Sequence, residues 1–150
     1  MTYSPGELHP SISLVVGIDP GVKTGFAVWC RRERRLIDVA TVSALEAMDR
    51  IKAMNVAELR FEDARQRTWF GSSDRKQAKY GAGFREGIGS VKRDCALWED
   101  FCARHGIKFK AVKPARGNTK WDAANFKKVT GWQGRTSEHA RDAALLVIGG

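Results

Sequence analysis

No apolar run in this chain approaches the roughly 20 residues needed to cross a bilayer, so no membrane-spanning helix is expected. The stretch Met1–Ser13 carries two prolines, Glu7 and His9 in place of a basic-then-apolar leader, so export is not expected and the protein reads as cytoplasmic, or in the host cytoplasm if viral. Cysteine is scarce. Cys30, Cys95 and Cys102 form no C-x-x-C pair and leave an odd count, which argues for reduced thiols and against both a disulfide framework and a zinc site. Repeats, low-complexity tracts and internal linkers are absent as well. At 150 residues and 43% hydrophobic, the chain suits one domain with one core.

Acidic residues are the minority charge: 17 Asp and Glu stand against 26 Lys and Arg, giving net +9 and a pI near 9.8. A domain so basic attracts polyanions, because neutralising phosphates releases condensed counterions. Five tryptophans add flat surfaces on which bases can stack. Nucleic acid is the partner class this balance favours.

The pattern along the chain alternates. Residues 13–18 read as a buried strand and 25–30 as a second, joined by Pro20-Gly21; Leu36 to Val42 is a third, after the charged turn Arg31-Arg-Glu-Arg-Arg35. Tight turns between the three imply an antiparallel meander. Ser43 reads as the N-cap of a helix with Leu45, Met48, Ile51 and Met54 at helical spacing, and Ala57 to Glu62 as a fourth strand. Asp63 to Gly89 is polar and glycine-rich; Arg65 to Lys76 reads as a mobile loop, and a helix begins near Gln77 and ends at Gly106. Ile107 to Val112 is a fifth strand, Lys120 to Thr130 a basic amphipathic helix and Ser137 to Ile148 a final apolar one. The expectation is an α/β domain with a five-stranded mixed sheet in βββαβαβα order, flanked by helices, with a second helix closing the chain.

Four polar residues fall at strand ends or a helix start. Asp19 ends the first strand, and a carboxylate at the edge of a core is costly unless a cation or hydrogen bonds compensate it. Glu62 ends the fourth strand. Asp63 follows it, but strand alternation sends Asp63 to the opposite face. His139 and Asp142 are three apart in the last helix and share a face. Each has an ordinary reading: a turn initiator, a strand-end charge, an exposed helix face. Together they suit hard divalent cations, which take oxygen ligands. Two such ions activate a water and stabilise the leaving oxygen of a phosphodiester.

Gly17-Ile-Asp-Pro-Gly21 with Gly25, Phe61-Glu62 and His139-x-x-Asp142 resemble the RuvC-type Holliday junction resolvases, of the RNase H-like (retroviral integrase) superfamily, over about Leu14 to Ile148. The resemblance implies a nuclease domain over 13–150, after an extension at 1–12 that is open to disorder. It further implies two Mg2+ ions, for which Mn2+ would substitute: Asp19 would ligate both, Glu62 one and Asp142 the other. His139, where some family members have aspartate, would ligate an ion or orient or deprotonate the attacking water, since an imidazole suits proton transfer near neutral pH. It implies a homodimer nicking opposed strands of a four-way junction.

Family lysines that hold the DNA backbone match Lys113 and Lys120, while Arg65, Arg67, Arg75, Lys76 and Lys79 crowd the loop beside the proposed site. Arg65 stands where the family places a stacking aromatic, so Trp69 or Phe70 becomes the expected wedge in the junction. Arg31, Arg32, Arg34 and Arg35 lie at the far end of the strands and read as a solvated turn. Alternatives are cleavage of other branched DNA or of structured RNA, and a non-catalytic nucleic-acid-binding module. An actin-like ATPase would need a second lobe.

Overall fold

A computed structural model describes residues 13–66, 82–114 and 120–150. Five strands form one mixed sheet: β1 (Leu14–Asp19), β2 (Thr24–Cys30), β3 (Arg35–Val42), β4 (Val56–Glu62) and β5 (Phe109–Val112), in the spatial order β3-β2-β1-β4-β5. β1, β2 and β3 are the antiparallel meander; β4 and β5 join parallel to β1. The helices are α1 (Ala44–Lys52), α2 (Ala82–His105), α3 (Ala123–Thr130) and α4 (Glu138–Leu145). This is the α/β architecture expected, element for element. Among the described residues no helix is long and apolar enough to cross a membrane.

The unbroken apolar run of β1 follows from burial on both faces. Leu14, Val16 and Ile18, with Leu59 and Phe61 of β4, pack under α1 and α2 against Met48, Ile51, Trp98 and Cys102. Val15 takes the other face with Ala27, Trp29, Phe126 of α3 and Ala140, Ala143, Ala144 and Val147 around α4. Each large side chain removed from water stabilises the fold by about 1.5–3 kcal/mol. Cys30, Cys95 and Cys102 are free, buried thiols.

Local signals set the element boundaries. The Ser43 hydroxyl accepts from Glu46 N–H, so α1 opens on a Ser-x-x-Glu sequence with Ser43 as its N-cap. α2 closes through Gly106 at φ 64, with Ile107 N–H donating to Cys102 carbonyl at 2.9 Å. That closure holds Ile107 at the helix end, and β5 therefore starts at Phe109 rather than at Ile107. α3 begins at Ala123, not Lys120, because the Asp122 carboxylate caps Asn125 N–H at 2.8 Å. The final helix is regular only over Glu138–Leu145, capped by Ser137, and its last residues continue as turns. The extension at 1–12, the start of a helix near Gln77 and most of the loop from Arg65 to Lys76 lie outside the described residues.

Candidate active site at the carboxyl ends of the parallel strands

Strand parity places the first two carboxylates. Val15, Gly17 and Asp19 leave β1 on the α4 side, opposite Val16 and Ile18. On β4, Leu59 and Phe61 face α1 and α2, so Arg60 and Glu62 face α4; Arg60 Nη1 reaches the Leu146 carbonyl at 3.2 Å. Ile18 pairs with Phe61 in the parallel register. One step further along both strands sets Glu62 beside Asp19 on the same face.

Two glycines bring α4 down onto that face. A Cβ on Gly25 would lie 1.9 Å from the His139 carbonyl oxygen, and one on Gly17 would lie 2.1 Å from that of Ala143. No side chain fits at either place, so the helix backbone rests directly on the sheet. Asp19, Gly25 and Thr41 form one row across β1, β2 and β3, and the Thr41 hydroxyl hydrogen-bonds the hydroxyl of the α4 N-cap, Ser137. The start of α4 therefore sits over Asp19.

The result is a close group. His139 Nδ1 lies 2.9 Å from Asp19 Oδ2. The Asp19 side chain is 16% exposed. Burial pushes its carboxyl above the usual carboxylate range, the His139 hydrogen bond pulls it back, and the charge of Asp142 pushes it up again. Asp142 receives the Lys120 ammonium at 3.4 Å, and Lys120 also bonds Glu138. Those contacts, with Glu138 first, raise the Lys120 pKa, and Lys120 lowers that of Glu138. Lys113 is exposed just past Val112, the β5 residue paired with Glu62. Lys113 and Lys120 are thus at the Asp19 end of the sheet, and the turn carrying Arg31, Arg32 and Arg34 is at the other.

Asp63 goes to the opposite face, as alternation requires. It is 4% exposed and accepts from Arg65 Nε at 2.8 Å, Arg65 Nη2 at 2.9 Å and Gln66 Nε2 at 3.3 Å. Arg65 also pairs with Glu99 of α2. The Arg65 hydrogen bond holds the Asp63 carboxyl below its ordinary range. The expectation that Arg65 meets phosphate meets a competing fact: its guanidinium is engaged by two carboxylates, tying the 3-10 turn Ala64–Gln66 to α2. Cys95 belongs to the same junction, its Sγ 3.7 Å from the Glu62 carbonyl oxygen. Arg67, Trp69, Phe70, Arg75, Lys76 and Lys79 lie outside the described residues.

Asp19, Asp142 and Glu62 are hard oxygen donors, and burial disfavours the charged form of Asp19, a cost that a divalent cation would offset. In kind and in charge the residues fit magnesium. Among the described residues, no group of three or more His, Cys, Asp or Glu side chains lies close enough together to hold a metal ion as the side chains stand. The carboxylates were legible in the sequence; the contribution of Gly17 and Gly25, which pack rather than react, was not. Arg141 had also gone unnoticed: its guanidinium binds the Trp121 carbonyl at 2.8 Å and the Thr136 carbonyl at 2.9 Å, fastening the Lys120–Trp121 segment to α4.

The sheet order with helices on both faces defines an RNase H-like fold. Among solved structures the chain is similar to T. thermophilus RuvC in complex with a Holliday junction substrate, with a TM-score of 0.57 and 13% identity over 90% of each chain. No protein-family model matches the chain, and no curated protein does either.

Proposed function

We propose that this protein is a magnesium-dependent endonuclease that resolves four-way DNA junctions. The observation that carries the reading is the desolvated Asp19 carboxylate, bonded to His139 and within the field of Asp142, on the sheet row that β-register extends to Glu62. The similarity to a RuvC bound to a Holliday junction supports branched DNA as the substrate, and the net charge of +9 supports a polyanion.

Two magnesium ions, with manganese as a substitute, would be held by Asp19, Glu62, Asp142 and His139, and would supply an activated water and stabilise the leaving oxygen. His139 is oriented by Asp19. The neutral tautomer that donates from Nδ1 to Asp19 keeps Nε2 as an acceptor for a water proton. Lys113 and Lys120, exposed at the Asp19 end of the sheet, would hold the DNA backbone; Arg67, Arg75, Lys76 and Lys79 would add to them, and Trp69 or Phe70 would stack at the crossover.

Paired nicks require two sites, so the active form is a homodimer. The outer face of α2 suits that contact. Leu97 is 46% exposed and Phe109 38%, and they line a shallow groove with Arg93, Ala96, Asp100 and Ala103. Arg93 and Asp100 are seven residues apart, two helical turns on one side. An antiparallel copy crossing at Ala96–Leu97 sets each Arg93 opposite an Asp100.

The deciding assay incubates the protein with a synthetic four-way junction, linear duplex and structured RNA, with and without magnesium. Symmetric nicks in the junction that require metal and vanish in Asp19→Asn are expected. Cleavage of RNA alone, or none of any substrate, overturns the reading.

A further inference from the structure

We infer that Glu138 is a positioning residue for Lys120, holding its ammonium at the rim of the site so that Asp142 is free to take a divalent cation. The inference rests on the proposed metal site and assigns a neighbouring carboxylate a different task. Glu138 and Asp142 are four residues apart on α4, so they stand one above the other on a single side of the helix. Two carboxylates at that spacing repel, and the Lys120 ammonium lies between them, hydrogen-bonded to Glu138 and 3.4 Å from Asp142 Oδ2.

Lys120 is kept there by its backbone. Arg141 donates to the Trp121 carbonyl, the next residue along, and to the carbonyl and hydroxyl of Thr136, ahead of the α4 cap. The segment carrying Lys120 is thus fixed to the helix that carries Asp142. What remains free is the lysine stem, with the side chain 63% exposed. An ammonium and a divalent cation cannot share Asp142 Oδ2 at contact distance, since like charges at a few ångströms repel strongly in a partly dry site. A metal ligated by that oxygen displaces Lys120, and the other carboxylate already in contact with the ammonium is Glu138. Retained there, the ammonium stays near the metal site, where a substrate phosphate would arrive, without competing for the ligand.

Calorimetric titration with Mn2+ alone, on the full chain without DNA, tests this. Glu138→Gln removes the carboxylate that shares Lys120 with Asp142, and Mn2+ affinity is expected to fall about fivefold, within the range an exposed ion pair allows; in a Lys120→Met background, where that pair is gone, the same change costs under about twofold. Lys120→Met alone tightens Mn2+ binding. If Glu138→Gln weakens binding equally or more in the Lys120→Met background, Glu138 acts directly on the metal and the inference is wrong. Asp142→Asn is the control on the site itself. If it binds Mn2+ as tightly as the wild type, or the wild type binds none, the metal-site reading has failed and takes the inference with it.

Discussion

His139 Nδ1 and Asp19 Oδ2 meet at 2.9 Å although 120 residues of chain separate them. The contact joins the last helix to the first strand and gives the buried Asp19 carboxylate a partner, yet the carboxyl is still raised above its ordinary range by burial. A carboxyl with a raised folded pKa binds its proton more tightly in the native state, so its contribution to stability is present at low pH and is lost as pH rises through that folded pKa. At neutral pH Asp19 therefore costs stability.

Asp19→Asn should accordingly melt roughly 3 °C higher than the wild type at pH 7 without metal, and the gap should close as pH falls through the raised folded pKa of the wild-type carboxyl. Added Mg2+ should raise the wild-type melting temperature and leave the variant unmoved. Thermal unfolding across that pH range, with and without metal, measures both effects. A variant less stable than the wild type at pH 7 would show that the His139 bond outweighs desolvation.

Gly25→Ala tests how the site is assembled. Its Cβ would sit 1.9 Å from the His139 carbonyl oxygen, and that neighbour is backbone, so the helix start must lift. Overpacking of this kind costs about 1–3 kcal/mol, and the displacement should abolish junction cleavage although no reactive group is removed. Gly17→Ala should do the same through Ala143. Denaturant melts separate the stability loss from the catalytic one; a Gly25→Ala protein that folds and cleaves normally would mean that α4 need not rest on the sheet.

These glycines show where the sequence was legible and where it was not. Asp19 could be located because the apolar run before it ends abruptly, and Glu62 because Leu59 and Phe61 alternate with charged residues up to it; parity decides which face each carboxylate leaves. His139 and Asp142 could be paired because helical spacing is local. That Gly17 and Gly25 exist to admit α4 depends on a contact with residues more than a hundred positions away, and no local pattern encodes it. Arg65 is a similar case: beside Asp63 it reads as a loop cation, and the carboxylate that completes its cage, Glu99, arrives from α2. The cap at Asp122 was readable in kind, yet the run from Lys120 hid it.

Arg65 should accordingly prove structural. The Asp63 carboxyl is buried, and its Arg65 hydrogen bond lowers its pKa, so this pair contributes stability above the unfolded carboxyl pKa and loses it as pH falls through the folded one. Asp63→Ala leaves Arg65 with Glu99 but without its buried partner and should cost about 1–3 kcal/mol at pH 7, with the difference from wild type shrinking in acid. Arg65→Ala should destabilise comparably while binding of duplex DNA at fixed salt changes little. A large loss of DNA affinity with unchanged stability would restore Arg65 to the phosphate-binding set.

The outer face of α2 offers the most direct test of the proposed dimer. Asp100→Arg would set a second guanidinium against the partner's Arg93 in the proposed antiparallel crossing, and like charges facing across an interface cost enough to weaken association at least about tenfold. Arg93→Asp combined with Asp100→Arg reverses both partners and should restore the dimer, since the pairing depends on opposition of sign rather than on which helix position carries it. Leu97→Glu should weaken association through the apolar contact at the crossing. Sedimentation equilibrium reads the wild type and all three variants. If Asp100→Arg alone dimerises as tightly as the wild type, or the double swap fails to recover what the single change lost, the two copies meet elsewhere. Junction nicks should follow the same series: single uncoupled nicks wherever the dimer is lost, paired nicks where it is regained.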